Sequence, residues 1–163
     1  MNAIRRTMLA GLLAFVFSGC LAQEQVSNPP SGLPPDPGDA GKVTLQGIDS
    51  DGDGLRDDVQ RHIYTRYSDA PRQKALTQLA KSCQAMLVAT GDKAQATVAA
   101  QTMNHAVDCV FTVDPDNVVD RVEEIEGQVV NTGARTEAYA TANALLSGTT
   151  FAVSQTPANV CTE

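Results

Sequence analysis

The chain has 163 residues, in which 12 Lys and Arg face 19 Asp and Glu for a formal net charge of −7. An acidic balance of this kind argues against nucleic acid as a partner and against charge-driven binding to anionic lipid, and it suits a solvated protein that meets divalent cations. With no Trp, three Tyr and four Phe, the chain offers little of the aromatic platform on which nucleobases or sugars stack.

The opening segment, M-N-A-I-R-R-T-M-L-A-G-L-L-A-F-V-F-S-G-C, joins a basic start at Arg5 and Arg6 to an apolar run from Met8 to Phe17. That run is too short to span a bilayer, which takes roughly 20 residues, and it has the length of a secretory h-region. Phe17-Ser18-Gly19-Cys20 resembles the lipobox of bacterial lipoproteins, with Phe17 where that box usually carries Leu. The resemblance implies a signal peptide over 1–19 and a mature N-terminal Cys20 that carries lipid, palmitate included, on its sulfur and its amine. More than one acyl chain gives a stable anchor to the bilayer, where a single chain would be marginal. Leu21 stands where an Asp would signal inner-membrane retention under that family's sorting rule. The expectation is therefore an outer-membrane lipoprotein, its domain facing the periplasm or the cell surface. The alternative is an ordinary signal peptide that ends beside a chance Cys. Residues 1–19 carry two basic groups and no carboxylate, so their removal leaves a net charge of −9.

Residues 20–42 hold five of the eight prolines and few bulky apolar side chains. Such a segment buries too little surface to offset its ordering entropy, and its proline content favours a semi-extended tether. The alternative is a loop packed on the domain. The remaining residues, 43–163, are numerous enough to bury a core of their own.

The domain opens on D-S-D-G-D-G-L-R-D-D-V-Q, residues 49–60, which crowd five carboxylates into ten positions. Counted from Asp49, carboxylates fall at positions one, three, five and nine, Gly54 at six and Leu55 at seven. A tight turn swings alternate side chains inward, so this spacing builds an oxygen cage, with Gly54 allowing the bend and the Leu55 carbonyl adding a ligand. Oxygen donors without His or Cys select a hard cation, and an acidic wrap-around loop favours Ca²⁺ over the smaller Mg²⁺. The stretch resembles an EF-hand calcium loop, and more closely the D-x-D-x-D-G loops of thrombospondin type 3 repeats and bacterial dockerins. That resemblance makes Asp49, Asp51 and Asp53 side-chain ligands, Leu55 a backbone ligand and Asp57 a direct or water-mediated one. Gln60 departs from the pattern at position twelve, where those families place a bidentate acid; as a ligand it offers a single neutral oxygen, and either Asp57 or Asp58 would have to compensate. The preceding K-V-T-L-Q-G-I does not read as an entering helix. A lone loop without its bidentate acid predicts weak binding, near the ~10⁻⁴–10⁻³ M of extracellular modules. The competing account is that Asp53, Asp57 and Asp58 merely complement a helix N-terminus, a favourable ~0.3–1 kcal/mol each. It leaves Asp49, Asp51 and two glycines unexplained.

From there the periodicity is helical throughout, and the predicted fold is all-α, a small bundle of about five helices. Leu55, Val59, Ile63 and Tyr67 mark a first helix ending near Tyr67. Ser68 or Asp69 caps a second, with Pro71 in its first turn and a stripe of Leu76, Leu79, Ala80, Cys83, Met86 and Leu87. Gly91 ends it and Asp92 caps a third, lined by Ala96, Ala99, Met103, Ala106, Val107 and Val110. Asp114-Pro115 opens a fourth with Val118, Val122, Ile125 and Val129. Beyond the break at Asn131-Thr132-Gly133, a fifth carries Ala138, Tyr139, Ala142, Leu145 and Leu146 up to Ser147-Gly148. A non-helical tail starts at Thr149.

Three cysteines remain after Cys20. Cys83 sits mid-stripe, where a free thiol behaves as a small hydrophobe. Cys109 lies on the flank of the third helix, and a hairpin turning at Gly91-Asp92 would leave it ~13 Å from the level of Cys83, beyond disulfide reach. The expectation is a Cys109–Cys161 disulfide and a buried free Cys83; the alternative is that all three are reduced.

Little in the sequence supports catalysis. His105 falls opposite an apolar stripe and reads as solvated, His62 reads as packed, and Glu123, Glu124 and Glu126 read as the solvated side of the fourth helix. No G-x-S-x-G, P-loop, G-x-G-x-x-G or H-E-x-x-H occurs. The favoured function is a non-enzymatic, membrane-anchored envelope lipoprotein with a structural calcium loop and an envelope protein partner. The alternative is an envelope hydrolase or its accessory subunit, which a deep pocket joining the acidic loop to a polar cluster would favour.

Overall fold

The computed structural model describes residues 32–151 and Cys161. The expected signal peptide, the lipobox and Cys20 lie outside the described residues. Five α-helices succeed one another: α1 Asp57–Arg66, α2 Ala70–Val88, α3 Lys93–Val113, α4 Val118–Val129 and α5 Gly133–Leu145. Two short 3-10 helices, Gly38–Lys42 and Pro115–Asn117, precede α1 and α4. Among the described residues there is no strand, and no helix is long and apolar enough to cross a membrane.

Local chemistry sets the helix boundaries. The Asp69 carboxylate accepts from Arg72 N, with Pro71 in the first turn of α2, and Asp92 accepts from Ala94 N and Gln95 N to start α3. The Thr132 hydroxyl accepts from Arg135 N to start α5. Each such cap satisfies an N–H that would otherwise lack a helical partner, contributing about 1 kcal/mol. The α4 helix starts a turn later than the sequence pattern predicts, because Pro115 opens the 3-10 turn and the α-helix itself begins at Val118.

The α2–α3 hairpin is the centre of the bundle, with α1, α4 and α5 all packed against α2. Residues 75–80 of α2 are all buried, Thr77 and Gln78 among them, since partners surround that part of the helix. Leu55, Val59, Ile63, Leu76, Leu79, Cys83, Val110, Ile125 and Val129 form the main core. Met86, Ala99 and Ala142 form a smaller one that Tyr139 and Leu146 cover. The small side chains Ala75, Ala80, Ala96, Ala106, Ala138 and Ala142 are buried, which lets helices approach closely.

Cys109 is bonded to Cys161, and Cys83 is free and buried. The bond joins the tail to α3 across a sequence separation of 52. Burial pushes the Cys83 thiol up to about 12, with Glu126 adding to the shift, so it carries almost no thiolate at neutral pH.

The Pro-rich segment does not run free to residue 42. Pro34 and Gly41 are buried, the Pro34 carbonyl accepts from Arg61 Nη1 at 2.8 Å, and the Gly41 carbonyl accepts from Arg135 Nη2 at 2.6 Å. Two arginines supply donors that composition alone does not reveal, so the packed unit begins upstream of residue 43.

Candidate metal centre

The loop 49–60 folds on itself before α1 begins. Gly54 has φ +86°, a left-handed conformation that a side chain would strain. The crowded carboxylates are met first by backbone N–H groups. Asp49 Oδ1 accepts from Gly52 N at 2.8 Å and Oδ2 from Gly54 N at 2.9 Å. Asp53 Oδ1 accepts from Leu55 N at 2.6 Å, Asp51 Oδ1 from Asp53 N at 3.3 Å, and Asp57 Oδ1 from Ser50 N at 2.8 Å.

Oxygens of Asp49, Asp51 and Asp57 converge, with one ligand atom from each lying within 4.8 Å of the others. Asp49 and Asp51 are exposed while Asp57 is buried, so the group opens to solvent on one side and rests on the domain on the other. This acidic triad can bind a metal ion, because three anionic oxygens at that spacing match what a hard cation gathers. Asp53 is not among the three. Its Oδ1 is taken by Leu55 N, and its Oδ2 accepts from Gln60 Nε2 at 3.1 Å. Gln60 Nε2 also donates to Asp51 Oδ2 at 3.1 Å, and its Oε1 is buried with no hydrogen-bond partner. That bond from Gln60 is the main cause holding the Asp51 carboxyl below its ordinary value, whereas burial raises that of Asp53. Asp58, the possible substitute ligand, turns the other way, toward Arg56.

Leu55 at position seven is fully buried in the core, which ties the loop to the bundle. Arg56 beside it is fully buried as well. Its Nε and Nη2 donate to the two oxygens of Asp58, each at 2.8 Å, while Nη1 and Nη2 reach the carbonyls of Val129 and Gln128 at 2.9 and 3.0 Å. A guanidinium there satisfies carbonyls at the end of α4 and complements that helix's dipole. Burial would raise the Asp58 carboxyl, but the hydrogen bonds and charge of Arg56, helped by Asn131 and Arg135, hold it below the ordinary value. From α2, Gln84 accepts from Arg56 N at 3.0 Å and donates to the Gly54 carbonyl at 3.2 Å.

Where an EF-hand would have an entering helix, this chain has a clamp. Arg135 of α5, fully buried, donates to the carbonyls of Gly41, Thr44 and Leu45 at 2.6, 2.8 and 3.2 Å, and to Asn131 Oδ1 at 2.6 Å. Asn131 Nδ2 in turn donates to Asp58 Oδ2 at 3.1 Å. Gly47 passes against the Arg56 stem and the Arg135 guanidinium, where a Cβ would lie 2.5 Å from Arg56 Cδ and 3.0 Å from Arg135 Nη2. The motifs and stripes of the sequence single out neither arginine. Arg135 does carry a signal, since it precedes Ala138, Tyr139 and Ala142 at three-four spacing and so continues the buried stripe of α5.

Glu124 and Glu126 correct the expectation of a solvated α4 face. Glu124 Oε2 accepts from the Tyr67 hydroxyl at 2.6 Å and from Arg121 Nη1 at 3.0 Å, while Oε1 meets His62 Nε2 at 2.7 Å and Arg66 Nε at 2.8 Å. Asp114 pairs with Arg121 and Arg72, both of which also lie over the Tyr67 ring. Glu126 accepts from the Tyr139 hydroxyl at 2.8 Å. Spacing does not reveal these roles because α4 packs on both α1 and α2. His62 is thus half-buried in an ion-pair network, and His105 is exposed.

Beside the loop lies an open cavity of about 540 Å³, lined by Leu45, Gln46, Asp49, Arg56, Lys81 and Gln84 among others. It shares Lys81, Ala85 and Val88 with a second, more apolar cavity of about 560 Å³ between α2 and α3. No family model matches the chain, and no curated protein or solved structure does either.

Proposed function

We propose that this chain is a membrane-anchored cell-envelope lipoprotein whose loop 49–60 holds a structural calcium ion, and that its role is structural or interactive and not catalytic. The observation that carries the calcium part is the convergence of Asp49, Asp51 and Asp57. The loop contains oxygen donors and neither His nor Cys, a set suited to Ca²⁺ and poorly suited to transition metals. Gln60 supports it further, because its amide contacts Asp51 and Asp53 through Nε2 while its buried Oε1 lacks a partner. Buried carbonyl oxygens rarely stay unpaired, and a cation is a partner that this neighbourhood would attract.

A lone loop tied down by Leu55, Arg56 and Gln84 suits an ion that rigidifies the entry to the bundle, and sensing by paired loops is the less fitting role. The anchor rests on the sequence, on the basic start, the short apolar run and Phe17-Ser18-Gly19-Cys20, with Cys20 as the acylated residue. Outer-membrane placement rests on Leu21. An envelope protein is the expected partner.

The alternative, an envelope hydrolase or its accessory subunit, draws on the cavity that touches Asp49. Its described lining has Gln46, Asp49, Arg56, Lys81 and Gln84 as polar groups but no Ser, Thr, Cys or His. That composition fits a docking surface better than nucleophilic hydrolysis.

Calcium titration of the purified protein, read as melting temperature, tests the metal. With Kd near ~10⁻⁴ M, calcium at ~10 mM stabilises the folded form by ~2.7 kcal/mol. Asp51→Ala is expected to abolish the response. A melting curve that chelator leaves in place would reduce the loop to an acidic helix start.

A further inference from the structure

We propose that the side-chain amide of Gln60 is a two-position gate on the calcium loop: its N–H₂ and the cation are alternatives at one place, and binding turns the amide over so that Oε1 becomes a ligand. The inference rests on the calcium reading above and adds how the site is held and opened. Three observations carry it. Gln60 is 8 % exposed, so its amide sits within the protein and not at the rim. Nε2 bridges Asp51 Oδ2 and Asp53 Oδ2 at 3.1 Å each. Oε1, on the same rigid planar group, is buried with no partner.

The two orientations differ sharply in what they tolerate. With N–H₂ inward, two carboxylates are neutralised in part by a donor that has no lone pair to offer a metal, and a cation placed there would be repelled. With Oε1 inward, three oxygens from Gln60, Asp51 and Asp53 face one another, an arrangement that only a cation between them makes favourable. The triad and the amide meet at Asp51, and there the two states compete, so the ion decides the orientation. The partnerless Oε1 fits this picture, because the outward position provides it no donor and the inward one gains it an ion.

A carboxylate at position twelve would behave differently. It would repel Asp51 and Asp53 until metal arrived and would then bind with two oxygens. Gln60 instead keeps the loop tied without metal and gives up affinity, since turning the amide breaks two hydrogen bonds to carboxylates. It also withholds Asp53 Oδ2 from the cage until the amide turns. Because Leu55, Arg56 and Gln84 fix the surrounding backbone, the response is confined to side chains.

The test uses the full-length protein, labelled with ¹⁵N in detergent and titrated with CaCl₂. Gln60→Glu identifies the Gln60 N–H₂ signals by their loss and is also assayed for affinity. In chelator, the wild-type Gln60 pair is expected to be shielded from exchange with water, and calcium is expected to shift the pair and speed its exchange. Gln60→Glu is expected to bind calcium roughly tenfold tighter or more, through an added charged ligand. The proposal is overturned if calcium moves the backbone amides of residues 49–57 while the Gln60 pair stays where it was. It is equally overturned if Gln60→Glu binds no tighter while remaining folded. Should neither the backbone nor the amide respond, the calcium reading itself has failed and the gate with it. If Gln60→Glu fails to fold, the Gln60 N–H₂ pair is assigned in the wild type through correlations to its own side-chain carbons, and the wild-type spectra alone decide the matter.

Discussion

Replacing Arg135 with Met tests whether the clamp holds the chain before the loop. Met fills similar space without a charge, so packing is largely kept while the bonds to the Gly41, Thr44 and Leu45 carbonyls and to Asn131 are lost. Two effects oppose each other. Burial and the nearby Arg56 charge depress the Arg135 pKa, so removing the guanidinium relieves desolvation and a like-charge contact. Replacing a whole buried ion pair by apolar residues can for that reason be neutral. Here only one side is removed, and the acceptors remain. The Gly41 carbonyl is paired in a buried position and loses about 1–3 kcal/mol, while the carbonyls nearer solvent turn to water and lose ~1 kcal/mol or less each. The sum is a loss of about 3 kcal/mol, or ~10 °C in melting temperature for a domain of this size. Urea denaturation is the assay, with the midpoint falling and the slope nearly unchanged. Segment 41–47 is expected to become cleavable by protease, and calcium affinity to fall with it. A loss below about 1 kcal/mol, with the segment still protected, would refute the clamp.

Three further outcomes are expected. Cys161→Ser removes the loop closure between Cys109 and Cys161, which lowers stability by up to ~4 kcal/mol on chain-entropy grounds; non-reducing peptide mapping checks the pairing, and a bridge containing Cys83 would contradict it. On acidification, Glu124 is the group to watch: burial acts to raise its carboxyl, but Tyr67, His62, Arg66 and Arg121 outweigh burial and hold it below its ordinary 4.5. The unfolded chain therefore takes up that proton first, so the stabilisation is full above pH 4.5 and is lost as pH falls through the lower folded value; Glu124→Gln is expected to flatten stability against pH there, and an unchanged slope would count against the network. Palmitate labelling is expected to mark Cys20, and Cys20→Ser to release the protein from the membrane fraction; unchanged fractionation of unlabelled protein would sink the anchor.

Most of the fold is legible in the sequence because each boundary has a local cause. Asp69 with Pro71, Asp92 after Gly91, and Thr132 before Gly133 announce helix starts through chemistry that acts within four residues. The stripe of α2 reads as one face, yet residues 75–80 are buried on every side. Three-four spacing records an apolar face, and it cannot report that Thr77 and Gln78 are covered by other helices. The cysteines are assignable because Cys83 and Cys109 differ in helical angle and Cys161 lies beyond the last helix. Glu124 misleads for the converse reason. A carboxylate on a polar face looks solvated until the partners that surround it, on α1 and at Tyr67, are brought up by tertiary packing.

The loop shows the same limit at closer range. Its carboxylate spacing is a local property, and the convergence of Asp49, Asp51 and Asp57 arises from it. What supports the loop is not local. Arg56 reaches 73 residues ahead to the Val129 carbonyl, and Arg135 reaches 94 residues back to Gly41. Arg56 has its ion-pair partner Asp58 two residues on, whereas Arg135 is held by the carbonyls of Gly41, Thr44 and Leu45 and by the Asn131 amide. An arginine's five donors can gather carbonyls from two chain segments at once, and at a loop without an entering helix that is the work required. Lysine, with a point charge, would not match it. Arg56→Lys should therefore loosen the loop although charge is conserved, because one ammonium cannot hold both Asp58 oxygens and the end of α4 together.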